Sequence, residues 1–126
     1  MSISIIYFKV SRQIYYLMLI RTSAEIYLEE ADEFLNKGDL VDACEKYYKA
    51  AREAIILLAY KYNIHGDNIE DIVTKLAEIL GDNIISYWAG ASLLYTARKE
   101  LDAELIKMYR QDVVELVNLA NEKFNS

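Results

Sequence analysis

Two helical patterns meet at a glycine between Glu25 and Tyr62, and that hairpin constrains the chain more than any other feature. One amphipathic pattern runs to Asn36-Lys37-Gly38, and Asp39 opens the next. Glycine just past the last periodic residue is a common helix stop, because it enters the left-handed backbone region without a steric cost. The second pattern carries Ala43, Tyr47, Ala50, Ala51 and Ala54 at helical spacing. Small residues at that spacing let a neighbouring helix come close. The expected architecture is therefore a set of antiparallel helices sharing an Ala/Tyr seam.

The remaining punctuation agrees. The chain has no proline and four glycines, three of which (Gly38, Gly66, Gly81) stand where a helical pattern stops. With apolar residues recurring at three- and four-residue spacing, this predicts an all-α antiparallel bundle of about five helices in a single domain spanning 1–126. The second helix is expected over about Leu40 to Tyr62, with a buried stripe of Leu40, Cys44, Tyr47, Ala51, Ile55, Leu58 and Tyr62. Asp42–Lys46 and Glu45–Lys49, acid before base at i,i+4, read as a solvated face. A loop over Asn63 to Asn68 follows, with Asp67 or Asn68 capping a third helix that Gly81 closes. Asp82 or Asn83 opens a fourth. Its stretch from Tyr87 to Ala97 is apolar or small on every side, which predicts the most central helix, and Gly90-Ala91-Ser92 would admit a close neighbour. A fifth is expected from about Asp102 to Phe124, buried along Leu105, Tyr109, Val113, Leu116, Ala120 and Phe124. Only Asp102 argues for a break before it, so one kinked helix is an open alternative.

Residues 1–21 form an apolar N-terminal extension. A stripe of Val10, Ile14, Leu17, Arg21, Ala24, Leu28, Ala31 and Leu35 fits one long helix from about Ser11 to Lys37. Thr22-Ser23-Ala24-Glu25 fits a capping box and so a fresh start. Apolar residues all round the segment imply burial, best explained by a second copy of the chain; a membrane-surface helix is the alternative.

Charge narrows the function. The net charge is −6, yet residues 1–24 hold Lys9, Arg12 and Arg21 with no acid, while the rest carries 11 basic and 20 acidic residues, a net of −9. Such a body repels phosphate backbones, so no DNA partner is expected. The apolar fraction of 54% is high for a lone small bundle and points to a homodimer. The single Cys44 excludes an internal disulfide and reads as a small buried hydrophobe. No secretory signal or spanning segment is evident, so a cytoplasmic location is expected.

The hairpin has the look of one tetratricopeptide unit, but no second copy follows Ala54, which excludes an array. A longer match covers about 100 residues. Tyr27-Leu28-Glu29-Glu30-Ala31-Asp32-Glu33-Phe34-Leu35-Asn36-Lys37-Gly38-Asp39, then Ala43, Glu45-Lys46, Ala50-Ala51 and Ala54, resembles the archaeal PaREP family. So do Trp88-Ala89-Gly90-Ala91-Ser92-Leu93-Leu94-Tyr95, Leu101-Asp102, and Asp112-Val113-Val114-Glu115-Leu116-Val117. The resemblance implies a HEPN-like bundle, akin to the substrate-binding helical domain that accompanies nucleotidyltransferases. Many HEPN proteins are ribonucleases marked by an arginine followed four to six residues later by a histidine. That pattern fails here: His65 is the only histidine, and Arg52 lies 13 residues before it. No catalytic residue is carried over.

The chemistry-bearing residues are few. His65 with Asp67, Glu70 and Asp71 is a poor metal set, so no metal and no cofactor are expected. Glu29, Glu30, Asp32 and Glu33 read as solvated carboxylates rather than a catalytic pair. Eleven tyrosines invite base stacking, which also needs cations. If helices two and four are neighbours, Tyr48, Arg52, Tyr95 and Arg98 converge on one ligand-binding site; otherwise the tyrosines simply fill bundle edges. The leading expectation is a non-enzymatic interaction or oligomerisation module, partnered with itself or with another protein. The alternative is a nucleotide- or RNA-related role, or partnership with a nucleotidyltransferase.

Overall fold

The computed structural model describes residues 23–124, which form five α-helices and no strand. They are α1 (23–37), α2 (Leu40–Tyr62), α3 (Ile69–Leu80), α4 (Asn83–Thr96) and α5 (Ala103–Phe124). The extension over 1–21, the cap at Thr22 and the dimer contact expected there lie outside the described residues. No described helix is long and apolar enough to cross a membrane.

The hairpin turn closes as its glycine requires. Gly38 has φ +83°, its N–H donates to the Leu35 carbonyl at 3.1 Å, and the Asp39 N–H donates to the Phe34 carbonyl at 2.9 Å. This pair of bonds satisfies two carbonyls left open at the end of α1. Asp39 precedes α2 but its side chain makes no capping bond. Asn63 ends α2 in the left-handed region, and Asn68 caps α3 by accepting from the Asp71 N–H at 2.9 Å. Helices α4 and α5 are separate. Asp102 accepts from the Leu105 N–H at 2.9 Å, so the one sequence signal for a break is a working cap.

Helix α2 is the centre of the bundle, packed against α3, α4 and α5 and bonded to α1. Ten of its residues are buried, from Ala43 to Ala59. This corrects the expectation that α4 is the most central helix. Five alanines let neighbours approach α2 from several sides, whereas α4 buries Ile84, Trp88, Gly90, Ala91 and Leu94 and leaves its other face to solvent. In α5 the buried edge is shifted: Ile106 and Val117 are in the core and Leu105 is 40% exposed. The contacts fix the directions. Asp32 pairs with Arg110 and Glu25 with Asn121, Glu45 pairs with Arg98, and Gly90 faces Asp112. So α1 and α4 run antiparallel to α2 and α5 and flank that pair.

The close approach expected at Gly90 is made by α5. A Cβ placed there would stand 1.9 Å from an Asp112 carboxylate oxygen. Burial, and then the nearby Glu115, push the Asp112 carboxyl above its usual range.

Candidate functional site

The α1 side of α2 is held by polar contacts. Tyr47 is fully buried, and a buried phenol needs a partner for its hydroxyl. It donates to the Asp32 carboxylate. Arg110 of α5 donates to both oxygens of the same carboxylate, at 2.7 and 2.9 Å. The fork-to-fork geometry holds Asp32 below the usual carboxylate range, against the opposing pull of burial. The Tyr47 hydroxyl is pushed up, first by burial and then by the carboxylate it bonds. Asp32 is therefore not one of a solvated acidic set. Glu30 leaves that set as well, pairing with Lys46 at 2.8 Å, and Glu25 accepts from Asn121 at 2.6 Å.

The i,i+4 pairs expected on α2 give way to these tertiary partners. Lys46 goes to Glu30 rather than Asp42, and Glu45 goes to Arg98 at 3.3 Å rather than to Lys49. A partner on another helix adds contact that a pair along one helix, worth only about 0.3–0.5 kcal/mol, does not supply. Two cations are left over. Among the described residues, no ion pair engages Lys49 or Arg52.

Those two cations line a groove of about 450 Å³ along the outer face of α2. Its lining also includes Phe34 of α1, Tyr95 of α4, and Asp42, Glu45, Lys46 and Tyr48 of α2. Tyr48 lies between Trp88 and Tyr95, ring centres 5.4 and 4.8 Å away. Tilted contacts at these separations are favourable for aromatic pairs. Lys46 and Lys49 both approach the Tyr27 ring, at 5.2 and 5.5 Å. A second hollow of about 300 Å³ shares Phe34 and Lys46 and is lined also by Glu30, Glu33 and Lys37.

Of the four residues singled out in the sequence, Tyr48, Arg52 and Tyr95 do share this groove. Arg98 does not line it. Its guanidinium lies 4.3 Å from the Tyr95 ring centre, donates to the Tyr95 carbonyl at 2.7 Å and pairs with Glu45. It supports the Tyr95 ring instead of presenting charge to a ligand. Phe34, Lys46 and Lys49 were not singled out. Lys49 was legible only as half of a helical ion pair, and Phe34 reaches the groove through the hairpin turn.

The other titratable groups offer little chemistry. Cys44 is buried and its thiol is pushed up to about 11 by desolvation, which keeps it protonated and inert. His65 is exposed in the α2–α3 loop, where its carbonyl accepts from Lys75 at 2.6 Å. Among the described residues no three His, Cys, Asp or Glu side chains are placed to hold a metal ion.

Fold and groove together define an all-α bundle with an aromatic, cation-lined surface cleft. The chain belongs to the archaeal PaREP1/PaREP8 family, whose model matches residues 19–117. It is similar to a crystal structure of a Sulfolobus solfataricus protein, with a TM-score of 0.77 and 36% identity over 82% of this chain and 98% of that one. A solution structure of the Orf c02003 protein gives a TM-score of 0.69 and 37% identity, over 81% of this chain and 91% of that one. No curated protein matches.

Proposed function

We propose that the chain is a non-enzymatic helical module that associates with a second copy of itself through the outer face of α4. One observation carries this reading. Helix α4 contains no ionisable residue other than its tyrosines, and it presents Ile85, Ala89 and Leu93 to solvent in a single row. Ile85 is 46% and Leu93 36% exposed. Residues four apart on a helix share a face. Ala89 stands midway between the two larger side chains, so a two-fold axis at Ala89 sets Ile85 of each copy against Leu93 of the other. Such self-complementarity is what an isologous dimer requires.

Charge selects the same face. Two bodies of net −9 repel wherever their carboxylates meet, and an uncharged helix is where they approach at least electrostatic cost. On α5, which packs beside α4, Leu105 and Met108 are also exposed, at 40% and 58%. Sedimentation of the full chain at micromolar concentration should give a dimer, and Leu93→Glu should give a folded monomer. A wild-type monomer, or a Leu93→Glu dimer of unchanged affinity, would refute the proposal.

A second reading is a nucleotide- or RNA-related role. It is supported by the convergence of Tyr48, Tyr95 and two cations without an ion pair, Lys49 and Arg52, in one groove.

A further inference from the structure

We propose that residues 17–22 continue α1 backwards and cover the exposed apolar end of α2 and α5 in the same molecule, with Arg21 donating to Asn121. At this end the two central helices outrun α1. Asp32 bonds Tyr47, so Ser23, nine residues before Asp32, is level with Ile56, nine residues after Tyr47 in the antiparallel α2. Helix α2 runs on to Tyr62, six residues further, a rise of about 9 Å. Beside it, α5 runs on from Asn121, the partner of Glu25, to Phe124.

What these ends show to solvent is apolar. Tyr60 is 65% exposed, and Ile56, one turn earlier on the same face, is 39% exposed. The Phe124 ring stacks on Tyr60, with centres 6.3 Å apart and planes within 19°. A Tyr–Phe pair turned outward where another helix begins is a seat for the chain that arrives there.

The arriving chain has the matching pattern. Helix α1 packs Ala24, Leu28, Ala31 and Leu35 onto the core, and the same spacing runs back through Arg21 to Leu17. Tyr16-Leu17-Met18-Leu19-Ile20 is apolar without a break. Six residues of helix, from Leu17 to Thr22, equal the six by which α2 outruns α1. The peptide bond to Ser23 already brings Thr22 into this space, whereas a second copy would have to enter around it.

Arg21 is the one polar residue in that stripe, and the structure gives it a partner. Asn121 donates its Nδ2 to Glu25 at 2.6 Å, which leaves its Oδ1 buried without a donor. Such an acceptor is costly to leave unmatched. Arg21 stands four residues before Glu25, so on a continued α1 it shares that face one turn earlier. A guanidinium has five N–H donors, enough for both the Glu25 carboxylate and Asn121 Oδ1. Overall charge agrees, because residues 1–24 carry +3 and the rest −9.

Hydrogen exchange of the full chain, read by mass spectrometry, tests this. Amides of residues 17–22 should be protected, and tenfold dilution should not change that protection. Tyr60→Glu should speed their exchange tenfold or more while leaving residues 113–120 unchanged. Arg21→Ala should speed it too, but should add nothing in an Asn121→Ala background. Unprotected amides at 17–22 would overturn the proposal, as would protection that Tyr60→Glu does not alter. Protection lost on dilution would assign the seat to a second copy and overturn it equally. Additive effects of Arg21→Ala and Asn121→Ala would refute the bond between them.

Discussion

The two flanks of the α2–α5 pair are built on different physics. On one side α1 is tied down by directional contacts: Asp32 to Arg110 and Tyr47, Glu30 to Lys46, Glu25 to Asn121. On the other side α4 has no charged side chain and is held by close packing, with Trp88, Ala91 and Leu94 in the core and Gly90 beneath Asp112. Polar ties specify register, because each donor must meet its acceptor. Packing supplies more free energy for each side chain removed from water but is less selective about what lies opposite. An uncharged helix is thus free to offer a second apolar face, and a charge-tied one is not.

The difference can be broken first on the α4 side, where the largest loss is expected. Leu94 is fully buried, and Leu94→Ala should cost about 2–5 kcal/mol in chemical denaturation. A loss below 1 kcal/mol would mean that α4 is not packed as described. On the α1 side Arg110→Ala should cost about 1–3 kcal/mol, the range for hydrogen bonds to charged groups in a half-exposed setting. Asp32→Ala and Arg110→Ala should be clearly non-additive, and simple addition in the double variant would show that they do not act as a pair.

Acidity sharpens the same contrast. The folded-state pKa of Asp32 is depressed, so its contribution is fully present above the ordinary carboxylate value of 3.8 and fades as pH falls through the lowered value. The stability gap between wild type and Asp32→Asn should therefore be constant at neutral pH and close only in strong acid. A gap that disappears near pH 6 would point to another group.

Gly90→Ala is expected to be comparable in size and tests the helix contact directly. The added Cβ must displace Asp112, at a cost of about 1–3 kcal/mol. In an Asp112→Ala background the cost should shrink without vanishing, because the carboxylate is gone but the residue 112 Cβ would still stand 3.0 Å from the added one. The smallest change is expected at Lys75→Ala, which removes an exposed pair with Asp71 at 3.1 Å. A loss of about 0.2–1 kcal/mol is in keeping with surface ion pairs, and a larger one would show that the bond to the His65 carbonyl organises the loop.

Much of this molecule was legible before its structure. Gly38, Gly81, Asn68 and Asp102 mark real helix ends because capping is a local matter of a few residues. The bounds of α2 follow from its uninterrupted period. What failed to show was which polar residues leave the surface. Asp32 stands beside Ala31 of the apolar stripe, one position from where a carboxylate would be buried, and nothing nearby in sequence reveals that Arg110 lies opposite. The buried Tyr47 did announce that a hydrogen-bond partner was needed, without saying which. The groove was half legible: aromatic and cationic residues at helical spacing on α2 were visible, but the choice of Arg52 and Lys49 over Arg98 depends on which cations find carboxylates elsewhere.

The apolar periodicity, with the glycines and capping residues between the patterns, was enough to determine an all-α bundle and most of its helix ends, and left open whether α4 and α5 are one kinked helix, since hydrogen bonding and backbone sterics act within a few residues. Only the tertiary arrangement decided that α2 rather than α4 is central, that Asp32 is bound rather than solvated, and that two cations remain unpaired beside Tyr48 and Tyr95. Those outcomes depend on distances between side chains 15 to 78 residues apart, which no local pattern encodes.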